Sequence, residues 1–443
     1  MGRYIGIRRE DKSRSERRVP VTPEDARALR EEHGIEAIVQ PSGLRIIPDE
    51  EYRRTGTVVQ DDLSECDVIF GVKEIPPELF QAGKSYVFFS HVAKGQSYNM
   101  PMLGRLMELG CDLIDYEKVS DDSGRRLIFF GRHAGIAGMF ETLWALGRRL
   151  DWEGIANPFG SLRRVHEYAG VASLQAAARE LGAAIRSQGV PESLAPVVIG
   201  VAGYGNVARG AWEILEQLPI VRIAPDQVPL VAADPQATRH VLYVAEFREG
   251  DTAAPIVPGT TFDLQDFYRN PEKYQGQFER YAPCLTLVVN CIYWEKRFPR
   301  LLTTSYLKGL YAEGQPRLRV IGDISCDIEG GVEVTVRSTE PDAPVYVYDV
   351  RTGEAVEGWA GAGPVIMAVD ILPSELPLDA SVDFSRVLRS FIPAIASADF
   401  SMPFESLELP PEIRRALIVL RGELTPQYRY LEAHVRGPNR TAT

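Results

Sequence analysis

The sequence predicts an α/β protein with parallel sheets, divided into two domains. Three observations lead there. Brief apolar runs recur between helical or turn segments through the first part of the chain, the pattern of strands joined by crossover helices. A buried-type apolar run at residues 195–201 passes directly into a glycine turn and then a helix. The 443 residues exceed what one hydrophobic core holds, so two domains are expected, with about three as the upper bound.

Residues 4–7 form the first short apolar run, and residues 8–18 a loop dense in charge. Thr22 precedes Pro23, Glu24 and Asp25, which is an N-cap with proline at the first helical position and acids in the first turn. Residues 37–39, 58–59, 68–72, 86–89 and 113–115 read as further strands. Residues 138–150 read as a long amphipathic helix, and 151–161, with proline and glycine, as a break and first plausible domain border. Residues 173–186 are expected to be helical, 195–201 a central strand, and 226–258, rich in charge and proline, irregular. Residues 284–292 and 318–324 are expected to be buried strands, 341–359 a hairpin or loop, and 361–363 a hinge. Two helices, 382–397 and 410–420, close the chain.

The net charge of −12 argues against nucleic-acid or anionic-membrane partners, which need a basic surface. It leaves room for an anionic substrate met by local arginines. No signal peptide is expected, because the first nine residues lack a long apolar stretch. No run of about 18 apolar residues suggests a membrane span. The five cysteines are scattered, odd in number and form no CxxC pair, which fits reduced thiols in a cytoplasmic protein and no metal site.

The glycine turn carries the most chemistry. Residues 203–208 read Gly203-Tyr204-Gly205-Asn206-Val207-Ala208, a G-x-G-x-x-A word between strand and helix. Gly203 permits the tight turn, Gly205 lets backbone N–H groups approach a pyrophosphate, and Ala208 keeps helix and sheet close. Dinucleotide binding follows, with Asn206 and Val207 in the first helical turn. The acid that holds a ribose is expected about 20 residues on. Asp226 fits, and Asp234 competes.

In the first half, charged residues gather at or just past expected strand ends: Arg14, Arg17 and Arg18; Lys73 and Glu74; His91 and Lys94; Glu117 with Arg125 and Arg126. Arginines suit carboxylates through bidentate pairing. Histidine titrates near neutrality, and a lysine beside other cations can be tuned toward it. The bland alternatives are a solvated charge run at 14–18, a structural Lys73–Glu117 pair and a satisfied strand-end histidine.

These residues resemble a known family, the saccharopine-forming lysine–2-oxoglutarate reductases found as one half of α-aminoadipic semialdehyde synthase. The likeness extends more distantly to the lysine-forming saccharopine dehydrogenases, within the alanine dehydrogenase/transhydrogenase-like group. Glu16-Arg17-Arg18, Gly71-Val72-Lys73, Phe89-Ser90-His91, residues 113–118 (LIDYEK), Gly205-Asn206-Val207, residues 292–295 (IYWE), residues 299–303 (PRLLT) and Asp323-Ile324-Ser325 carry it, from about residue 4 to about residue 430. The resemblance implies two Rossmann-like domains with parallel sheets and an interdomain cleft. The substrate-binding domain takes residues 1–140 plus 345–443, and the dinucleotide domain 141–344. It implies Lys73 and His91 as the acid–base pair, Arg18 and Arg126 as carboxylate-binding arginines, Glu74, Lys94 and Glu117 in the same charged pocket, and Asp323 beside the nicotinamide. NADPH is the favoured cofactor, with NAD as the alternative. Lysine, 2-oxoglutarate and saccharopine are the implied small-molecule partners, and an oligomer is compatible with the sequence. Rival readings are an opine-type or amino-acid dehydrogenase acting on another amine and keto acid, or a non-catalytic dinucleotide-binding regulator.

Overall fold

The computed structural model describes residues 3–436. The chain divides into two compact units: Met1–Phe130 with Pro377–Thr443, and Gly131–Leu376. The strands in chain order are β1 (Arg3–Ile7), β2 (Ile35–Val39), β3 (Val58–Val59), β4 (Val68–Phe70), β5 (Ser85–Phe88), β6 (Asp112–Asp115), β7 (Val198–Ala202), β8 (Ile220–Ile223), β9 (Leu242–Phe247), β10 (Ala253–Pro255), β11 (Tyr274–Gly276), β12 (Leu287–Asn290), β13 (Val320–Asp323), β14 (Val345–Asp349), β15 (Glu354–Glu357), β16 (Val365–Met367), β17 (Leu417–Leu420) and β18 (Glu423–Leu424).

The first unit holds an eight-stranded sheet in the order β18-β17-β6-β5-β4-β1-β2-β3. Its strands from β3 to β6 run parallel, and β17 joins β6 antiparallel. Every residue of β4, β5 and β6 is buried, as a parallel sheet covered on both faces requires. Helix Pro23–His33 begins as its sequence dictates: the Thr22 side chain accepts the Asp25 N–H at 3.3 Å, and Pro23 occupies the first turn.

The second unit holds another eight-stranded sheet, β15-β14-β16-β13-β12-β7-β9-β8, parallel from β8 to β16. Helix Gly131–Trp152 crosses helix Asn206–Leu215 at close range. A Cβ on Gly135 would stand 1.8 Å from the Val207 carbonyl oxygen, and one on Gly210 would stand 1.9 Å from that of Arg132. Only glycine at both positions lets these backbones touch. The start of the second helix is thereby clamped against its neighbour.

The structure departs from the sequence reading at four places. The chain leaves the second unit at residue 377 instead of 345, because β14, β15 and β16 pair in the second sheet. The first border likewise falls at residue 131, at the start of a helix that packs into the second unit, and not at residue 141. Residues 226–258 are not irregular. They contain helix Val228–Ala233 and β9, whose Leu242, Val244, Ala245 and Phe247 are buried while Tyr243 and Glu246 interrupt the apolar run. Residues 410–420 are helical only over Pro411–Ala416, after which Leu417–Leu420 is fully buried as β17. A run of four apolar residues does not distinguish strand from helix by periodicity alone.

Among the described residues, no helix is long and apolar enough to cross a membrane. Among the same described residues, no group of three or more His, Cys, Asp or Glu is placed to hold a metal ion. All five cysteines are free thiols.

Candidate active site

Each unit carries a cluster of chemical groups at the ends of its parallel strands. In the first, β6, β5, β4 and β1 are neighbours. The segments following their carboxyl ends bring together Glu10, Glu16, Arg18, Lys73, Glu74, His91, Asp115 and Glu117. Parallel sheets place ligands at such edges.

Glu10 ties two of these segments together. Its two carboxylate oxygens accept the backbone N–H groups of Val72 at 2.8 Å and Lys73 at 2.9 Å. Burial pushes its carboxyl up to about 7, against the opposing charge of Arg8. Glu74 is the opposite case. Burial would raise its carboxyl, but hydrogen bonds and charge from His91 and Lys12 outweigh burial and hold it at about 2. Its Oε1 lies 2.8 Å from His91 Nδ1, and its Oε2 lies 2.6 Å from Lys12 Nζ. A carboxylate only accepts hydrogen bonds, so His91 Nδ1 carries a proton and donates it. Nε2 is therefore the nitrogen that can take up or release a proton. The His91 backbone sits in the left-handed region at φ 51°, uncommon for a residue with a side chain. Strain of this kind gathers at functional sites. The ring is part-exposed and stacks on Phe89, centroid to centroid 6.1 Å.

Lys73 follows β4 and is half-buried. Its charge and that of Arg18 act on Glu16, whose carboxyl burial would raise but whose cationic neighbours hold it below its ordinary value. Asp115 is buried and raised by burial; it accepts the Ser90 hydroxyl and the Glu117 N–H at 2.8 Å. Glu117 pairs with Arg126 at 2.9 Å, and Arg126 is part-exposed. Lys94 lies on the exposed loop beyond His91.

Arg18 requires a correction. Its guanidinium is buried and already paired with Glu16 through Nε at 2.8 Å and through Nη2. It packs over the Phe130 ring at 4.1 Å. It does not stand open for a substrate carboxylate, because the acid two residues earlier in the same loop folds back onto it. Arg14 and Arg17 point outward, and Arg125 is exposed beside Asp121. We expect Arg18→Ala to destabilise the protein by about 3–5 kcal/mol, since it strands a buried carboxylate. Chemical denaturation measures this, and wild-type stability would refute the pairing.

In the second unit, β7 ends at the glycine turn. Gly203 has φ 104°, and a Cβ there would stand 3.1 Å from the Cys291 carbonyl oxygen. At Gly205 an added Cβ meets no atom within 4 Å. The space above the N-terminus of helix Asn206–Leu215 is open on this side, and Ala208 is buried. These residues fit a dinucleotide pyrophosphate, which needs backbone approach and the positive end of a helix.

Asp226 requires the second correction. The strand beside β7 is β9, not β8, so β8 lies at the edge of the sheet. Asp226, in the turn after β8, is exposed and one strand removed; Asp234 caps helix Val228–Ala233, also exposed. Phe247 pairs with Ala202, and its carbonyl accepts the Gly203 N–H at 2.9 Å. Arg248 and Glu249 therefore lie beside the glycine turn. Nothing in residue type alone assigns Arg248 and Glu249 a role; the signal in the sequence is the mostly apolar run 242–247 leading into Arg248. Asp323, at the end of β13, is buried and bonded to Asn290 at 2.9 Å and Thr335 at 2.6 Å, and burial raises its carboxyl to about 6. It organises the ends of β12 and β13.

Residues 6–137 match the family of alanine dehydrogenase/PNT N-terminal domains. The alpha-aminoadipic semialdehyde synthase of Arabidopsis thaliana is 37% identical over 442 residues, covering 96% of this chain and 41% of that protein. Over nearly its whole length this chain is similar to the alpha-aminoadipic semialdehyde synthases. It spans less than half the length of the synthases it matches. A lysine-forming, NAD(+)-dependent saccharopine dehydrogenase of Yarrowia lipolytica is 27% identical over 388 residues, covering 84% of this chain and 87% of that protein. Among solved structures, an L-alanine dehydrogenase superposes with a TM-score of 0.62 at 17% identity, covering 98% of this chain and 99% of that one. At that identity the likeness speaks for the fold alone: two Rossmann-like α/β sheets.

Proposed function

We propose that this chain is an oxidoreductase of lysine metabolism that condenses L-lysine with 2-oxoglutarate and reduces the product to saccharopine with NADPH, and can run in reverse. The observation that carries the reading is His91 held by an ionised Glu74 next to Lys73, past the carboxyl ends of the parallel strands β4 and β5. The semialdehyde synthases and saccharopine dehydrogenases among its relatives support it.

The chemistry makes specific demands. The ε-amine must be neutral to attack the keto carbon, and the hydroxyl of the resulting carbinolamine must leave as water. One group has to accept a proton and another to donate one. His91 does the first through Nε2, because Glu74 fixes the ring through Nδ1. Lys73 does the second, positioned by the Glu10 carboxylate that accepts its backbone N–H. When bound, NADPH supplies the hydride that reduces the carbon of the iminium. Gly203, Gly205, Asn206 and Val207 hold its pyrophosphate, and Asp323 keeps the neighbouring strand ends in place. Arg126 meets a substrate carboxylate, exchanging its exposed pairing with Glu117, and Lys94 adds positive potential nearby. Arg18 serves by neutralising Glu16.

The test is NADPH oxidation by the purified protein with lysine and 2-oxoglutarate, compared with other amine and keto-acid pairs. Preference for another pair would overturn the substrate assignment. Arg126→Ala should raise the keto-acid KM about 10-fold or more, the loss of one charge-assisted hydrogen bond. NADPH affinity should not change, and an unchanged KM would move the carboxylate site elsewhere.

A further inference from the structure

Beside the glycine turn lies a pocket lined by Gly203, Tyr204, Phe247, Arg248 and Glu249, with Tyr268 and Trp294 among its aromatic walls. The register of β9 against β7 puts Arg248 directly after the residue that accepts the Gly203 N–H. In a dinucleotide-binding sheet, the residue ending the strand next to the glycine turn meets the adenosine ribose. In chain order that strand is normally the second of its unit. Here it is the third, because β8 has been displaced to the edge.

We propose that Arg248 reads the 2′-phosphate of NADPH and makes this pocket selective for the phosphorylated cofactor. This rests on the dinucleotide reading of the glycine turn. An acid at this position would bind the two ribose hydroxyls of NAD and repel a phosphate; an arginine attracts it. The two nearby acids are already engaged. Glu246 Oε1 accepts from Arg248 Nε at 3.0 Å and Nη2 at 2.8 Å. Glu249 Oε1 accepts the Tyr204 hydroxyl at 3.1 Å and the Tyr268 hydroxyl. The guanidinium lies over the Tyr204 ring, 4.9 Å from its centroid, so the residue between the two glycines of the turn positions it at the pocket mouth. The Arg248 side chain is 64% exposed, which leaves it accessible to a phosphate and makes its replacement tolerable to the fold.

The experiment is calorimetric titration of the purified protein with NADPH, NADH, adenosine 2′,5′-bisphosphate and 5′-AMP, for wild type, Arg248→Gln and Asp226→Ala, with a thermal melt of each. Wild type should bind the bisphosphate at least about 10-fold more tightly than 5′-AMP, as a charge-assisted contact allows. Arg248→Gln should erase that preference and weaken NADPH about 10-fold or more, leave NADH unchanged, and melt like wild type. Asp226→Ala should alter none of the affinities. Equal binding of the two adenosine fragments by wild type, or equal weakening of NADPH and NADH by Arg248→Gln, would overturn the role of Arg248 while leaving the glycine turn as a dinucleotide site. Binding of neither dinucleotide by wild type would overturn both.

Discussion

Lys73→Met and His91→Gln should each lower kcat by about two to three orders of magnitude, within the range that general acid–base groups contribute. Both residues follow adjacent strands of one sheet, β4 and β5. His91 is held by an anion that stays ionised far into acid: the Glu74 carboxyl is lowered from the ordinary 4.5 to about 2. A depressed carboxyl contributes stability that is fully present above about pH 4.5 and is lost as pH falls toward 2. Kinetics above that window are therefore free of Glu74 titration. The double variant should lose less than the product of the two single losses, because groups that act as one unit are not additive. NADPH affinity should barely change. The competing account is structural, with His91 merely completing a hydrogen bond to Glu74 and Lys73 merely balancing Glu16. It predicts a lower melting temperature with a normal chemical step. A melt beside single-turnover kinetics separates the two, and a normal single-turnover rate in either variant would end the catalytic assignment of that residue.

Gly205→Val should weaken NADPH and NADH binding by about 100-fold or more. Several phosphate contacts to backbone N–H groups are lost together, and each decade corresponds to about 1.4 kcal/mol. The fold should survive, because a Cβ at Gly205 meets no atom within 4 Å. The valine side chain instead fills the space through which a pyrophosphate reaches the start of helix Asn206–Leu215. Fluorescence titration of the nucleotide gives the affinity, and circular dichroism gives the fold. Unchanged affinity in a folded variant would remove the dinucleotide from this turn and, with it, the proposed oxidoreductase chemistry.

Much of this protein was legible because its signals are local. The Thr22 cap, the β7–glycine turn–helix unit and the apolar runs at β1, β4, β5, β6, β12 and β13 are each written in a few consecutive residues. The hairpin of β14 and β15 was legible for the same reason, but its sheet was not. Nothing within residues 345–357 records that β14 pairs with β16 of the second unit. β9 was missed because Tyr243 and Glu246 break its apolar run, although its place in the sheet buries the other four side chains.

By itself, the sequence determined the α/β class, the glycine turn, and the set of charged residues that follow the first unit's strands. Periodicity, turn chemistry and residue type act over a few positions and need no knowledge of the rest of the chain. Tertiary structure alone decided which of those charges are available. It buried Arg18 on Glu16, gave His91 its Glu74 partner across 17 residues, and set Arg248 instead of Asp226 beside the glycine turn by placing β9 between β7 and β8. The physical reason is common to all three. A side chain's charge state and accessibility depend on what strand order and burial bring against it, and strand order is settled by the packing of the whole sheet.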